Sequence, residues 1–269
     1  MAFETVLYEK NGFMGIIRLN RPERMNAVIE QMYLDIRDIL LEAHHDANVR
    51  VIILTGSVRK GSAGEKQAFC AGADLKKHAA GDRTPGQKRE YILLAHETTR
   101  MIYEFPKPVI VAVNGPARGA GTEMALNGDF LFMADTASVA FPETGLATCV
   151  GGGATYLLTQ LVGSMRAREL IYTGRIVHGP EAVAMGLALK SVPVDQLMPE
   201  VLSFASGLAE KAPISLSLTK ALIRQGPNRD METVLLAESE AIFACMNTED
   251  WREGICSFAE KRKPMFNGR

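Results

Sequence analysis

Few of the features that usually identify a protein are present in this chain. Cysteine is scarce: Cys70, Cys149, Cys245 and Cys256 are the four, and no two stand in CxxC spacing. That excludes zinc ribbons and thioredoxin-type redox motifs, and it fits free thiols in a reducing cytoplasm. Charge of one sign is missing as well. With 30 basic against 31 acidic side chains the formal charge is −1, so the totals lack the basic excess of a protein that grips nucleic acid or lies on an anionic membrane. No stretch approaches the roughly 20 apolar residues of a membrane span. Met1 to Lys10 carries Glu4 and Glu9 and no apolar core of the secretory kind.

The common catalytic motifs are absent too. There is no GxSxG, no HExxH and no GxxxxGK[ST]. The run from Gly115 begins like a dinucleotide fingerprint, but Met124 stands where its third glycine belongs. The histidines, His44, His45, His78, His96 and His178, form no ligand-like cluster and read as surface or helix-face residues; no metal is expected.

What is there is an ordinary globular composition, 47% apolar over 269 residues, long enough for a substantial core without metal or disulfide. Strand and helix signals alternate at first. Gly15 to Leu19 reads as a strand stopped at Asn20-Arg21-Pro22, and Val28 to His44 has apolar residues at helical spacing. Val49 to Leu54 and Pro108 to Val113 are β-branched runs of the kind covered on both faces. Between them, Gln87 to Tyr103 reads as a helix. Phe130 to Met133 and Val139 to Phe141 are shorter strands. Beyond Thr155 the signals are mostly helical: Tyr156 to Val162, Met165 to Tyr172, Pro180 to Met185, Gln196 to Lys211, Ile214 to Arg224 and Met231 to Met246. The order predicts an α/β core over residues 1–195 and a helical region over 196–269. Ser57 to Lys66 and Lys76 to Lys88 fit neither period; mobile rims of a ligand site and plain solvated connections suit them equally.

Two glycine-rich turns follow the buried-strand signals: Ala68-Phe-Cys-Ala-Gly-Ala-Asp-Leu75 and Asn114-Gly-Pro-Ala-Arg-Gly-Ala-Gly121. Small residues let backbone approach a ligand, and a turn entering a helix leaves N–H groups free. Two such groups converging on one carbonyl oxygen would make an oxyanion hole; two ordinary tight turns are the plainer reading. Glu123 then falls in the first turn of the helix after Gly119, and Glu143 follows Phe141-Pro142. Helix out and strand back can return Glu143 to Glu123. Two carboxyls in one apolar pocket would raise the proton affinity of at least one, leaving one as base and the other as acid. Singly, each also fits a structural role, one at a helix N-terminus and one in an exposed turn.

With Leu19-Asn-Arg-Pro22, Asn26-Ala27, Lys107 to Gly115, Asp129, Gly151-Gly-Gly153, Tyr172-Thr-Gly174, Ala184 to Leu187 and Phe258 to Lys263, these segments form an ordered series. It resembles the crotonase (enoyl-CoA hydratase/isomerase) superfamily along nearly the whole chain. The resemblance implies an α/β crotonase-like spiral of ββα units, with a C-terminal α-helical region used in trimerisation and trimers often paired as hexamers. It implies that the N–H groups of Ala73 and Ala120 hold a thioester oxygen. Position 120 is commonly glycine, so Ala120 is a departure that keeps the N–H. Glutamates at both positions 123 and 143 match the hydratases: Glu123 would deprotonate water for attack at Cβ and Glu143 would supply the proton at Cα.

Coenzyme A enters as part of the thioester substrate, with no prosthetic group. The resemblance carries Arg24, Met25, Ala71, Asp74 and Lys76 to CoA contacts, Gly151 to the reacting carbons, and Phe258 and Lys261 to a C-terminal segment that reaches CoA, sometimes from a neighbouring subunit. Gln67 stands where some hydratases have a phosphate-binding lysine; Lys66, Lys60 or Arg59 could replace it, or could belong to a merely solvated basic loop. The expectation is thus a cytoplasmic hydro-lyase acting on 2-enoyl-CoA, with no nucleic acid or membrane partner. Enoyl-CoA isomerisation, hydration of a cyclic or dienoyl-CoA, and β-dicarbonyl-CoA hydrolysis are the alternatives on the same scaffold, and an RNA-binding relative is the alternative outside catalysis.

Overall fold

A computed structural model describes residues 3–61, 64–81 and 83–269. Its centre is a six-stranded sheet in the order β1 (Val6–Asn11), β2 (Met14–Leu19), β3 (Val51–Gly56), β6 (Val109–Val113), β8 (Phe130–Ala134) and β11 (Lys190–Val192). β1 and β2 form an antiparallel hairpin at one edge, and every later pairing is parallel. The register runs Ile17↔Leu54, Leu54↔Val111, Val111↔Leu131. Every residue of β3 and β6 is buried, as β-branched strands covered on both faces must be.

One cover is α1 (Glu30–His45), which turns Met32, Tyr33, Ile36, Ile39, Leu40 and Ala43 inward and packs on α3 (Pro85–Glu104). The other is α7 (Val194–Ala209), whose Leu197, Val201, Ala205 and Ala209 are buried where it packs on β3, β6 and β8. A smaller sheet orders β10 (Val177–His178), β9 (Ser138–Ala140) and β7 (Pro116–Arg118). α4 (Ala120–Leu126) packs on β7 and on α5 (Ala154–Thr173), and α6 (Gly179–Ala184) packs on β10 and β11. α8 (Pro213–Gln225), α9 (Met231–Met246) and α10 (Glu249–Ala259) complete the chain.

α8 is tied to the sheet by an ion pair, Lys220 Nζ to Asp129 Oδ2 at 2.6 Å, with the same ammonium donating to the Lys107 carbonyl. Burial pushes the Asp129 carboxyl up and the Lys220 ammonium down despite the pairing. Farther out, large apolar side chains are exposed: Ile223, Leu235, Leu236, Phe243, Trp251 and Phe258.

Elsewhere the observed elements extend the expected ones. β1, β7, β10, β11 and α10 are present without having been anticipated; the Asn11-Gly12 turn, with Gly12 at φ 57°, and Thr248, whose side chain caps α10, are the local signals of β1 and α10. Residues 57–66 contain a hairpin of β4 (Arg59–Gly61) and β5 (Gly64–Lys66). Residues 76–88 contain most of α2 (Leu75–Ala80) and the capped start of α3 at Thr84. Residues 62, 63 and 82 of these two stretches, and the Lys60 side chain, lie outside what is described. The two helices expected at 156–162 and 165–172 are both present as the two segments of α5, separated at Gly163, which takes the non-helical φ 78° and ψ 161°.

Candidate active site

Parallel strands deliver their following loops to one edge of the sheet, the edge at which open α/β sheets bind ligands. Here β3 and β6 deliver the two glycine-rich turns. Asn114 clamps them: its side chain accepts from Gly56 N at 3.2 Å and donates to the Gly56 carbonyl and to Gln67 Oε1. Gln67 is thereby occupied in holding the turn. Asn26 does the same from the early loop, donating to the Ser57 and Ala68 carbonyls.

The turns then meet backbone to backbone. Arg118 N donates to the Cys70 carbonyl at 3.0 Å. A Cβ at Gly72 would stand 2.6 Å from the Arg118 carbonyl oxygen, and one at Gly121 would stand 2.3 Å from that of Cys70. Any larger residue would push the turns apart, and Gly72 also takes φ 88°. This contact sets Ala73 beside Ala120, since the Gly72 Cβ position is only 3.8 Å from Ala120 N. Ala120 opens α4, where an N–H has no intrahelical acceptor. The Ala73 N–H makes no hydrogen bond with another described backbone group.

Glu123 sits one turn into α4. Its Oε1 accepts from Gly151 N at 2.6 Å, and Asn127 fixes the other side of that loop through the Gly152 carbonyl at 2.7 Å. Glu143 is returned by β9, which is sewn to α4 by Gly119 N to the Ala140 carbonyl at 3.1 Å and by the Thr122 hydroxyl to the same carbonyl at 3.0 Å. Its Oε1 lies over Gly119, 2.5 Å from where a Cβ would be. Among the described residues its Oε2 is buried with no hydrogen-bond partner, a setting that favours the neutral carboxyl. Burial pushes the Glu143 carboxyl up to about 7, with the charge of Glu123 adding to the effect. Burial also raises Glu123, against the pull of the Gly151 N–H.

Both glutamates, Ala71, Ala73, Ala120 and Gly151 line one cavity of about 630 Å³, within the size range of small-molecule sites. The other expected contacts are placed differently. Met25 touches the site through its backbone, accepting from Ala71 N at 3.0 Å in a left-handed conformation. Asp74 caps α2 and pairs with Arg21 at 3.1 Å. Arg24, Lys76, Lys66 and Arg59 are exposed. Phe258 lines a separate groove with Trp251 and Ile255, and Lys261, exposed, follows α10; a single chain does not bring these two to the cavity.

Several lining residues carried no signal of their own. His78, Arg83, Tyr91 and His96 all face the cavity from α2, α3 and the stretch between them. For His78 and His96 the expected helix face is this one. His96 packs on the end that holds Glu123, its Nε2 being 2.9 Å from the Cβ position of Gly151. The spacing of α3 shows a face; nothing in it shows that the face borders a cavity.

Known proteins resemble this chain in sequence and in fold. A family model described as Enoyl-CoA hydratase/isomerase matches residues 9–269. A crotonyl-CoA hydratase of Syntrophomonas wolfei is 35% identical over 266 residues, covering 99% of this chain and 99% of the relative. A short-chain-enoyl-CoA hydratase of Clostridium acetobutylicum is 35% identical, covering 98% and 97%. The crystal structure of an enoyl-CoA hydratase from Bacillus anthracis superposes with a TM-score of 0.92 at 37% identity, covering 99% of this chain and 100% of that one. The chain belongs to the enoyl-CoA hydratase/isomerase family and has its crotonase fold.

Proposed function

We propose that the chain is a hydro-lyase that adds water across the 2,3 double bond of a 2-enoyl-CoA thioester. The observation that carries the reading is the pair of carboxyls with raised proton affinity, Glu123 and Glu143, lining one cavity with the free N–H groups of Ala73 and Ala120. The thioester oxygen rests on those two N–H groups. Glu123 takes a proton from water as its oxygen bonds to Cβ, and the electrons of the double bond move toward the thioester oxygen. The N–H pair favours charge that appears only there and then. As the enolate collapses, Glu143 gives its proton to Cα. Exchange with solvent restores both carboxyls. The raised value of Glu143 suits a donor, because near neutrality a large fraction still holds its proton.

The CoA portion runs past Arg24, Met25, Ala71, Asp74 and Lys76, with Phe258 and Lys261 reaching it from a neighbouring subunit. Assembly as a homotrimer, or a hexamer of paired trimers, is supported by the apolar side chains that the helical region, residues 196–269, leaves exposed. The reading is tested by following loss of the conjugated enoyl-thioester absorbance with crotonyl-CoA and water. A 3-hydroxyacyl-CoA product supports it. A shifted double bond with no water taken up would replace hydration by isomerisation.

A further inference from the structure

The cavity has a second end that hydration at the glutamates leaves unused. One face of α3 forms its wall, with Lys88, Tyr91, Ile92, Ala95 and His96 at helical spacing. His96 marks the reacting end, beside Gly151 and Glu123. At about 1.5 Å per residue, Tyr91 lies roughly 7.5 Å farther along the helix axis.

Polar side chains gather there beside Ile92 and Ala95. Tyr33 of α1, 2% exposed, lines the cavity with its ring 6.0 Å from that of Tyr91. The His78 ring is 4.9 Å from the Tyr91 ring on another side, and the Arg83 guanidinium stands 4.6 Å from its centroid. Arg83 is 2.9 Å from His78 Nδ1. Arginine only donates, so Nδ1 accepts, and His78 is neutral with its proton on Nε2. Burial lowers His78 and pushes the Tyr91 hydroxyl up to about 12, so both stay neutral donors. The Tyr33 and Tyr91 hydroxyls interact, yet among the described residues the buried Tyr91 hydroxyl has no well-directed hydrogen bond, a costly arrangement unless a ligand completes it.

The charge balance says what kind of ligand. Among the described lining residues the only carboxylates are Glu123 and Glu143, at the reacting end. Glu30, outside the cavity lining, pairs with both Lys77 and Arg83, so among the described residues named here Lys77, Arg83 and Lys88 outnumber the one carboxylate. A group offering acceptors alone and carrying negative charge matches such a site.

We propose that this end is a carboxylate subsite, so that the preferred substrates are 2-enoyl-CoA thioesters whose acyl chain ends in a second carboxyl. Tyr33, Tyr91 and His78 donate to it, and Arg83 and Lys88 supply the field. The assignment rests on the hydratase reading only for where the thioester lies. It is tested with saturated thioesters, which cannot be hydrated, so that binding is read apart from catalysis. Adipyl-CoA, hexanoyl-CoA and 6-hydroxyhexanoyl-CoA are titrated calorimetrically into wild type, Tyr33→Phe and Tyr91→Phe. The expected result is adipyl-CoA bound at least about tenfold more tightly than hexanoyl-CoA, near 1.4 kcal/mol, with that ratio falling toward one in the variants. The ratio within each variant does not depend on how much of it is folded. Tightest binding of the hexanoyl or hydroxyhexanoyl thioester, or an unchanged ratio in both variants, overturns the subsite alone. Failure of all three to bind overturns the thioester site with it.

Discussion

The two ends of the cavity are built in different ways. At the reacting end, backbone makes the walls: Gly72 and Gly121 let two turns touch, Gly119 lies under Glu143, and Gly151 N holds Glu123. At the far end, side chains of α2 and α3 make them, on helices whose solvent faces are unconstrained. Backbone walls cannot adjust to a new atom, whereas side-chain walls can turn to new rotamers. On the proposed reading, chemistry that needs fixed donors sits at the first, and substrate selection at the second.

That contrast can be broken first at the glutamates. Glu123→Gln and Glu143→Gln keep shape and remove only the titrating proton, and each is expected to lower kcat by about 10²–10⁴ with the substrate still bound. Steady-state assay on crotonyl-CoA checks this; full activity in either variant removes that residue from the reaction. Next comes Gly121→Ala, whose methyl would stand 2.3 Å from the Cys70 carbonyl oxygen. Displacing Ala120 N–H should cost about 10²–10³ in rate, while the same assay on Ile92→Ala, at the far wall, should show a much smaller loss.

The third break lies outside the cavity. Lys220→Met leaves Asp129 without its ammonium partner and should reduce stability by about 1–3 kcal/mol. Thermal unfolding would read that loss, with kcat on crotonyl-CoA unchanged, because the tether touches neither end. The smallest effect is expected at His96→Ala. Gly151 still donates to Glu123 there, so kcat/KM on crotonyl-CoA should change less than about tenfold, within the span of a side chain that acts by packing.

How much of this was legible in the sequence follows the same division. The buried strands β3 and β6 announced themselves by β-branched runs, and the turns after them by glycine. Glu123 and Glu143 were legible because each adjoins one of those signals, the first inside the helix after Gly119 and the second after Phe141-Pro142. The hairpin Arg59–Gly61 with Gly64–Lys66 and the six-residue helix Leu75–Ala80 were not. Elements so short take their stability from what they pack on or pair with, which leaves no period to read. The far wall was hidden for another reason. Tyr33 repeats with Met32, Ile36 and Leu40 as an ordinary core position of α1, and only the packed structure shows that it faces a cavity. Gln67 was silent in a third way: it stands where some hydratases have a phosphate-binding lysine, and only the packed structure shows that it accepts from Asn114.

The most direct test of paired-carboxylate hydration is the pH dependence of kcat/KM for crotonyl-CoA in wild type and in Glu143→Gln. Glu143 must donate a proton, so its active form is the neutral one, held below its raised value of about 7. The wild-type rate should fall as pH rises through about 7. The rising limb should reflect ionisation of Glu123 above the ordinary 4.5. The stability linkage has the same origin: a carboxyl raised from 4.5 binds its proton more tightly in the folded state. Its contribution is complete below 4.5 and fades as pH rises through about 7. Glu143→Gln cannot titrate, so its much lower rate should lose the falling limb near 7 and keep the rising one. A falling limb that persists unchanged in Glu143→Gln would contradict the account, because the proton delivered to Cα would then come from another group.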